Sequence, residues 1–326
     1  MSKPKATIAA EPRGWMRRLD RWLNALPHPA AVVEIAPSHV AAARWGASRD
    51  RVECSELEPI GARALAPSPV EPNILDADAI RTPLQRAFRR VPVAGHSVAL
   101  LVPDPVVRVF ILPFEELPRR ADDALPLLRW RLKKSVPFDV EETVVSWMRQ
   151  AGRQGNLEIV AAVARQRIVR EYQELIESQG ANVPVVLSST LATLPLLDES
   201  GAELLVRMCG RTLTTVIVRG PNLCVYRSSE MAAGGAALDP KVMLDEIFPA
   251  IAYYQDTWGG MVDGARIAGF GEREDAFRGA LAAELGIAVG GIADDAGKSR
   301  QLPPAAKGLI RQNMDALAGW MMNAGA

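Results

Sequence analysis

Apolar and polar residues fall into strand-like blocks along this chain, and one set of blocks recurs. Residues 31–45 (AVVEIAPSHVAAARW) read as an apolar strand, a turn of small residues and a second β-rich run; a polar turn at 46–50 and the run RVECSEL add a third strand. Residues 203–218 (ELLVRMCGRTLTTVIV), the turn at 219–222 and the run LCVYRSS repeat that order. Glu34 and Arg207 hold matching places, an offset of 173 residues (207 − 34). The duplicated hairpin predicts an α/β protein of two related lobes.

Between the repeats the period changes. A Pro-rich loop at 59–72 leads to a predicted helix at 76–90, and HSVALLVPDPVVRVFILP reads as two strands around Pro103, Asp104 and Pro105. A helix is predicted over 115–135, with Leu117, Ala121, Leu125, Leu128 and Leu132 as its apolar stripe, stopped by Val136, Pro137 and Phe138. EETVVSWMRQ and NLEIVAAVA read as a hairpin, 165–180 as a helix closed by Gly180, and VPVVLSS as a strand. After the second repeat come a helix at 238–258 with Met243, Ile247, Ile251 and Tyr254 inward, the strand ARIAGFGE, the helix DAFRGALAAELG and the strand IAVGGI. The last predicted helix lies within 302–322 and carries Leu309, Met314, Leu317, Trp320 and Met321.

At the N-terminus, Trp15, Leu19, Trp22, Leu23 and Leu26 fall on one face of a predicted helix at 13–26, with Arg17, Arg18 and Arg21 on the other. Residues 1–29 carry six Lys/Arg against Glu11 and Asp20. This basic arm suits either packing on a protein surface or contact with an anionic membrane.

A length of 326 residues allows about two domains. The formal net charge is zero, and the few aromatics are not arranged for base stacking, so nucleic acid is not an expected partner. Cys54, Cys209 and Cys224 lie in apolar runs without close spacing, and His28, His39 and His96 are scattered, so neither a disulfide framework nor a metal site is expected. No run of 18 apolar residues and no signal-peptide core is present in the sequence, which points to a cytoplasmic protein.

Three local patterns carry little chemistry. Gly291, Gly297, Lys298 and Ser299 imitate a phosphate loop, but five residues separate the glycines where four are needed, and Pro303 and Pro304 follow at once. His39 adjoins Ser38, but adjacent strand residues point apart and no orienting acid is evident, so no hydrolase triad is expected. Arg129, Arg131, Lys133 and Lys134 end the 115–135 helix, where cations suit the helix terminus; they read as a solvated face or as a contact for an acidic partner or membrane.

One ordered set of segments covers residues 30 to 326. It includes Leu112 and Pro113 before the helix, Val136, Pro137 and Phe138 after it, the acidic pair Glu141 and Glu142, the helix LDEIFPAIAYYQDTWGG and the strand ARIAGFGE. In this order the chain resembles PilM, the actin-like protein of type IV pilus assembly, itself similar to FtsA. The resemblance implies an actin-like (RNase H-like) duplicated two-lobe α/β fold with an inserted α+β, SHS2-like subdomain. It divides the chain into an arm at 1–29, a first lobe at 30–107 with 185–200, the insertion at 108–184 and a second lobe at 201–326.

The nucleotide positions the resemblance implies are Glu34, Ser38, Arg207, Gly210, Thr212, Gly269 and Gly271, and the residues there are altered. Where the family has a glycine and a lysine in the first loop, this chain has Ala36 and Ala41, and Pro37 removes an amide donor. Arg207 replaces the magnesium-holding aspartate, and a guanidinium cannot coordinate a cation. Hydrolysis and a magnesium cofactor are therefore not expected, although Arg207 could still pair with a phosphate directly. The other reading of both loops is as plain hairpin turns, with Arg207 bridging to Glu34 across the old cleft. The implied function is a non-enzymatic scaffold peripheral to the inner membrane. Its partners would be the N-terminal tail of a PilN-like membrane protein, docked near the insertion, and pilus motor or platform components. Contact residues expected are Arg129, Arg131, Lys133, Lys134, Phe138, Trp15 and Trp22. The alternatives are an active actin-like ATPase, or a GspL-like secretion module, which would normally continue into a membrane helix.

Overall fold

A computed structural model describes residues 28–46, 51–152, 155–198, 200–232, 239–294 and 301–323. The predicted arm with Trp15 and Trp22, and the Lys298–Ser299 segment, lie outside the described residues.

Two five-stranded sheets share one design. In the first, β1 (Ala31–Ile35), β2 (His39–Trp45) and β3 (Val52–Pro59) form an antiparallel meander. β1 also pairs in parallel with β4 (Ser97–Val102), which pairs in parallel with β8 (Asn182–Ser188). In the second, β9 (Ala202–Cys209), β10 (Thr212–Arg219) and β11 (Asn222–Glu230) form the meander, while β12 (Gly264–Ala268) and β13 (Val289–Gly291) add the parallel edge. The repeat extends to register: Glu34 faces Ala41 and Arg207 faces Thr214, so both strands of the hairpin obey the 173-residue offset. β1 and β9 are buried along their whole length, as central strands covered on both faces must be.

A third, antiparallel sheet follows the order β5 (Arg108–Phe114), β7 (Leu157–Arg165), β6 (Thr143–Ala151). The two strands expected around Pro103 to Pro105 both form, but they diverge: β4 stays in the first sheet and β5 opens the third. The turn between them, Asp104–Val106, is a single 3-10 turn.

Helices cover the sheets. Helix α1 (Ala77–Arg90) is capped by Asp76, whose carboxylate accepts the Asp78 and Ala79 amides at 3.1 and 3.0 Å. Helix α2 (Ala121–Leu132) packs Ala124, Leu128 and Leu132 on the third sheet. It starts six residues later than the apolar spacing predicts. Residues 115–120 contain no helix; Leu117 is buried, and the Arg149 guanidinium holds the Leu117 and Pro118 carbonyls. Ala121, expected inside, is exposed.

Helix α3 (Gln166–Glu177) covers the first sheet with Ile168, Tyr172, Leu175 and Ile176. Gly180 stands past its end at φ 81°. Helix α4 (Ser189–Thr193) leads out of β8, α5 (Pro240–Trp258) buries the four residues expected of it, and α6 (Glu274–Leu285) follows β12.

The final predicted helix is two, α7 (Pro304–Arg311) and α8 (Asp315–Asn323). Asn313, at φ 60°, breaks them apart. Helix α8 leaves the second lobe and packs on α4, β1 and β2 of the first. One apolar cluster therefore joins both lobes: Val32, Trp45 and Leu101 from the first sheet, Leu205 and Val216 from the second, and Leu317, Trp320 and Met321 from α8. Contact between α8 and α4 is so close that a β-carbon on Gly319 would lie 2.0 Å from the Ala192 carbonyl oxygen.

Candidate functional site

The two hairpin turns meet where the lobes face each other. In the first, the Ala36 amide donates to the His39 carbonyl (2.9 Å) and the His39 amide to the Ala36 carbonyl (3.3 Å). Pro37 has no amide hydrogen, so this tight turn leaves only the Ser38 amide for a ligand. In the second, Gly210 adopts φ 60°, and a β-carbon there would sit 2.9 Å from the Pro37 ring. The turns are thus in van der Waals contact across the cleft.

Behind them lies a buried ionic cluster. Arg207 on β9 donates from Nε to Asp315 Oδ2 (2.6 Å) and from Nη2 to Asp315 Oδ1 (3.2 Å), and the same Nη2 reaches Glu34 Oε1 on β1 (3.4 Å). The Arg207 side chain is 4% exposed and that of Glu34 0%. Ser189 Oγ, opening α4, donates to Glu34 Oε1 at 2.6 Å, and Thr193 Oγ1 stands 3.4 Å from Asp315 Oδ2. Burial alone would raise the Glu34 carboxyl, but the neighbouring His39, the Arg207 charge and the Ser189 hydroxyl outweigh it and bring it down to about 2. Burial likewise opposes the Arg207 charge, and Asp315 and the other acids overcome it, holding the guanidinium well above its ordinary value. Beside it, burial pushes the Cys209 thiol up to about 12 despite Arg207.

Ser38 and His39 do not point apart, as expected of adjacent strand residues. Both belong to the tight turn, where Ser38 Oγ lies 3.0 Å from His39 Nδ1, and an acid does stand behind: His39 Nε2 is 3.8 Å from Glu34 Oε2. That last distance is beyond a hydrogen bond, and the other oxygen of the carboxylate, Oε1, holds Arg207 and Ser189. The trio lacks the base–acid contact that nucleophilic catalysis uses.

A cavity of about 580 Å³ opens above the cluster. Its wall includes Ser38, His39, Arg207, Gly210, Gly269, Gly271 and Asp315. Glu34 sits beneath, behind Arg207 and His39. Thr212 turns elsewhere: it lines a separate groove of about 350 Å³. Six of the seven expected nucleotide-loop residues thus converge, and Thr212 does not. Asp315 was missed by sequence reasoning. The available signal was a lone acid at the head of an otherwise apolar helix, a residue type seldom buried without a partner.

The 350 Å³ groove forms where the first lobe, the third sheet and β11 come together, between Pro67, Pro69, Pro105, Phe110, Tyr226 and Arg227. At its base, buried Asp104 accepts the Thr190 amide (2.9 Å) and the hydroxyls of Thr190 (2.5 Å), Thr214 (2.7 Å) and Tyr226 (3.2 Å). Four donors on elements of both lobes fix this junction. The expected contact residues stand away from it. Arg129 is engaged by Glu141 at 3.0 Å, and Phe138 packs on the core of the third sheet. Arg131, Lys133 and Lys134 are exposed, and so is Trp130, next to Arg131, at 73%.

Solved structures share this architecture. That of the PilM–PilN type IV pilus biogenesis complex matches with a TM-score of 0.69 over 92% of this chain and 99% of that one, at 14% identity. The fold is actin-like. A Bacteroides thetaiotaomicron protein with an actin-like ATPase fold and unknown function matches at 0.50 over 91% of this chain and 97% of its own, at 10% identity. The cytoplasmic domain of EpsL, from the type II secretion system of Vibrio cholerae, covers 73% of this chain and 80% of its own at 14% identity and a TM-score of 0.45. No family model and no curated protein matches the sequence. Among the described residues, no helix is long and apolar enough to cross a membrane.

Actin-like folds imply a magnesium nucleotide between the lobes, and the donor set here does not fit one. The first turn has only the Ser38 amide to offer, Pro37 fills the space beside Gly210, and a guanidinium stands between the carboxylates that a divalent ion would need.

Proposed function

We propose that this chain is a non-enzymatic, PilM-like scaffold on the cytoplasmic side of an inner-membrane pilus platform. It holds the N-terminal tail of a PilN-like membrane protein and couples it to motor or platform components. The observation that carries the reading is the Arg207–Glu34–Asp315 cluster, in which a guanidinium engages both carboxylates where phosphoryl transfer would need them on a metal ion. Likeness in fold to a solved PilM–PilN complex supports the choice of partner. The seat proposed for the tail is the groove between Pro69, Phe110 and Tyr226. Two edge strands, β5 and β11, border it, and an extended peptide has unpaired backbone to meet there.

Titrating a synthetic PilN-like N-terminal peptide by fluorescence anisotropy, with and without magnesium ATP, tests the reading. The expected dissociation constant is the same in both, and a strict requirement for ATP would sink the scaffold reading. Steady-state phosphate release that Glu34→Ala abolishes would establish the active ATPase instead.

A further inference from the structure

We propose that Arg207 is a resident cation that permanently latches the two lobes, occupying the place in the cleft that a divalent ion would otherwise bridge. Its guanidinium is carried by the second lobe, on β9, and is gripped by Glu34 of the first lobe and by Asp315, the first residue of the helix that crosses back onto the first lobe. Ser189 and Thr193, on the α4 helix that α8 packs against, brace both acids. One side chain thus ties together both central strands and the crossover helix.

Three features separate a latch from an incidental ion pair. The cluster is buried, so water screens it little and its geometry is costly to break. Its contacts come from four separate elements, β1, β9, α4 and α8, so none of them can shift without breaking the cluster. The turns above it are in contact through Pro37 and Gly210, so the same closed position is held twice. A metal ion can leave with its nucleotide and let lobes open. An arginine cannot, so this cleft stays closed whatever nucleotide is present. The inference does not depend on which peptide docks at the groove; peptide binding that is indifferent to ATP, with an open cleft, would overturn the latch alone.

The decisive experiment removes the cation and offers another. Arg207→Ala leaves Glu34 and Asp315 facing each other without compensation. Its melting temperature is expected to fall by roughly 6–12 °C. Manganese(II), read by its electron paramagnetic resonance signal, is expected to bind the variant at least about tenfold more tightly than the unchanged protein and to recover part of the lost melting temperature. A variant that melts within about 2 °C of the parent, or gains no manganese affinity, overturns the proposal. If Arg207→Ala does not fold, hydrogen exchange of the unchanged protein decides. Amides at 34–39 and 207–212 are expected to exchange at the same rate with and without magnesium ATP, and increased protection there on adding it overturns the latch.

Discussion

Gly319→Ala sets two physical effects against each other with opposite signs. Gly319 lies within α8, where replacing glycine by alanine ordinarily stabilises a helix by about 1 kcal/mol. Here the new β-carbon would lie 2.0 Å from the Ala192 carbonyl oxygen, 2.8 Å from Thr193 Cα and 2.9 Å from the Ala192 carbonyl carbon. All three are backbone atoms of α4 and cannot rotate away. Restoring an ordinary contact of about 3.4 Å requires α8 and α4 to separate by more than 1 Å. That movement would unpack Trp320 and Met321 from the cluster joining the lobes, and would draw Asp315 off Arg207. Overpacking of this kind costs about 1–3 kcal/mol, and strain on a buried ion pair adds to it. The net expectation is a loss of about 3 kcal/mol, a drop in melting temperature of roughly 6–12 °C by calorimetry. Urea denaturation should show a lower midpoint with an unchanged slope. A variant equal to or more stable than the parent would refute the close approach of the two helices.

Acid should loosen the cleft through Glu34. Its carboxyl is depressed from 4.5 to about 2 in the folded state, so its contribution is fully present above about pH 5 and lost as pH falls toward 2. At 1.36 kcal/mol per pH unit this amounts to about 3 kcal/mol. Urea midpoints measured from pH 7 to pH 3 should therefore fall more steeply for the parent than for Glu34→Gln, and parallel curves would contradict the assignment. Cysteine reactivity gives a third check: burial holds the Cys209 and Cys224 thiols up at about 12, while Cys54 is only partly covered. Iodoacetamide at pH 8, read by mass spectrometry, should label Cys54 first and the other two only on unfolding; early labelling of Cys209 would mean that the second hairpin is open.

The repeat was readable because hairpins are local. Strand, turn and strand lie next to each other in sequence, and the offset between Glu34 and Arg207 carries through to the pairing of Ala41 and Thr214. What failed was apolar spacing at segment ends. Leu117 continues the period of α2 by coincidence, since it is buried from a non-helical stretch whose carbonyls Arg149 holds from another strand. The break between α7 and α8 had left a trace, because Leu309 and Met314 are five apart, a step that a single helical face does not take. The partners of Arg207 were half visible. Glu34 follows from the duplication, but Asp315 is brought in only by α8 crossing between lobes, which no local pattern encodes.

The opposite charges of Glu34 and Arg207 also determine which halves can pair. Equivalent positions of two related lobes face each other, so a first half meeting a copy of itself would bring two carboxylates together in a dry interior with no guanidinium between them. Only the second half supplies a guanidinium to stand against that carboxylate. The duplication therefore carries its own rule against pairing two first halves, whose buried carboxylates find a counter-charge only in the other half.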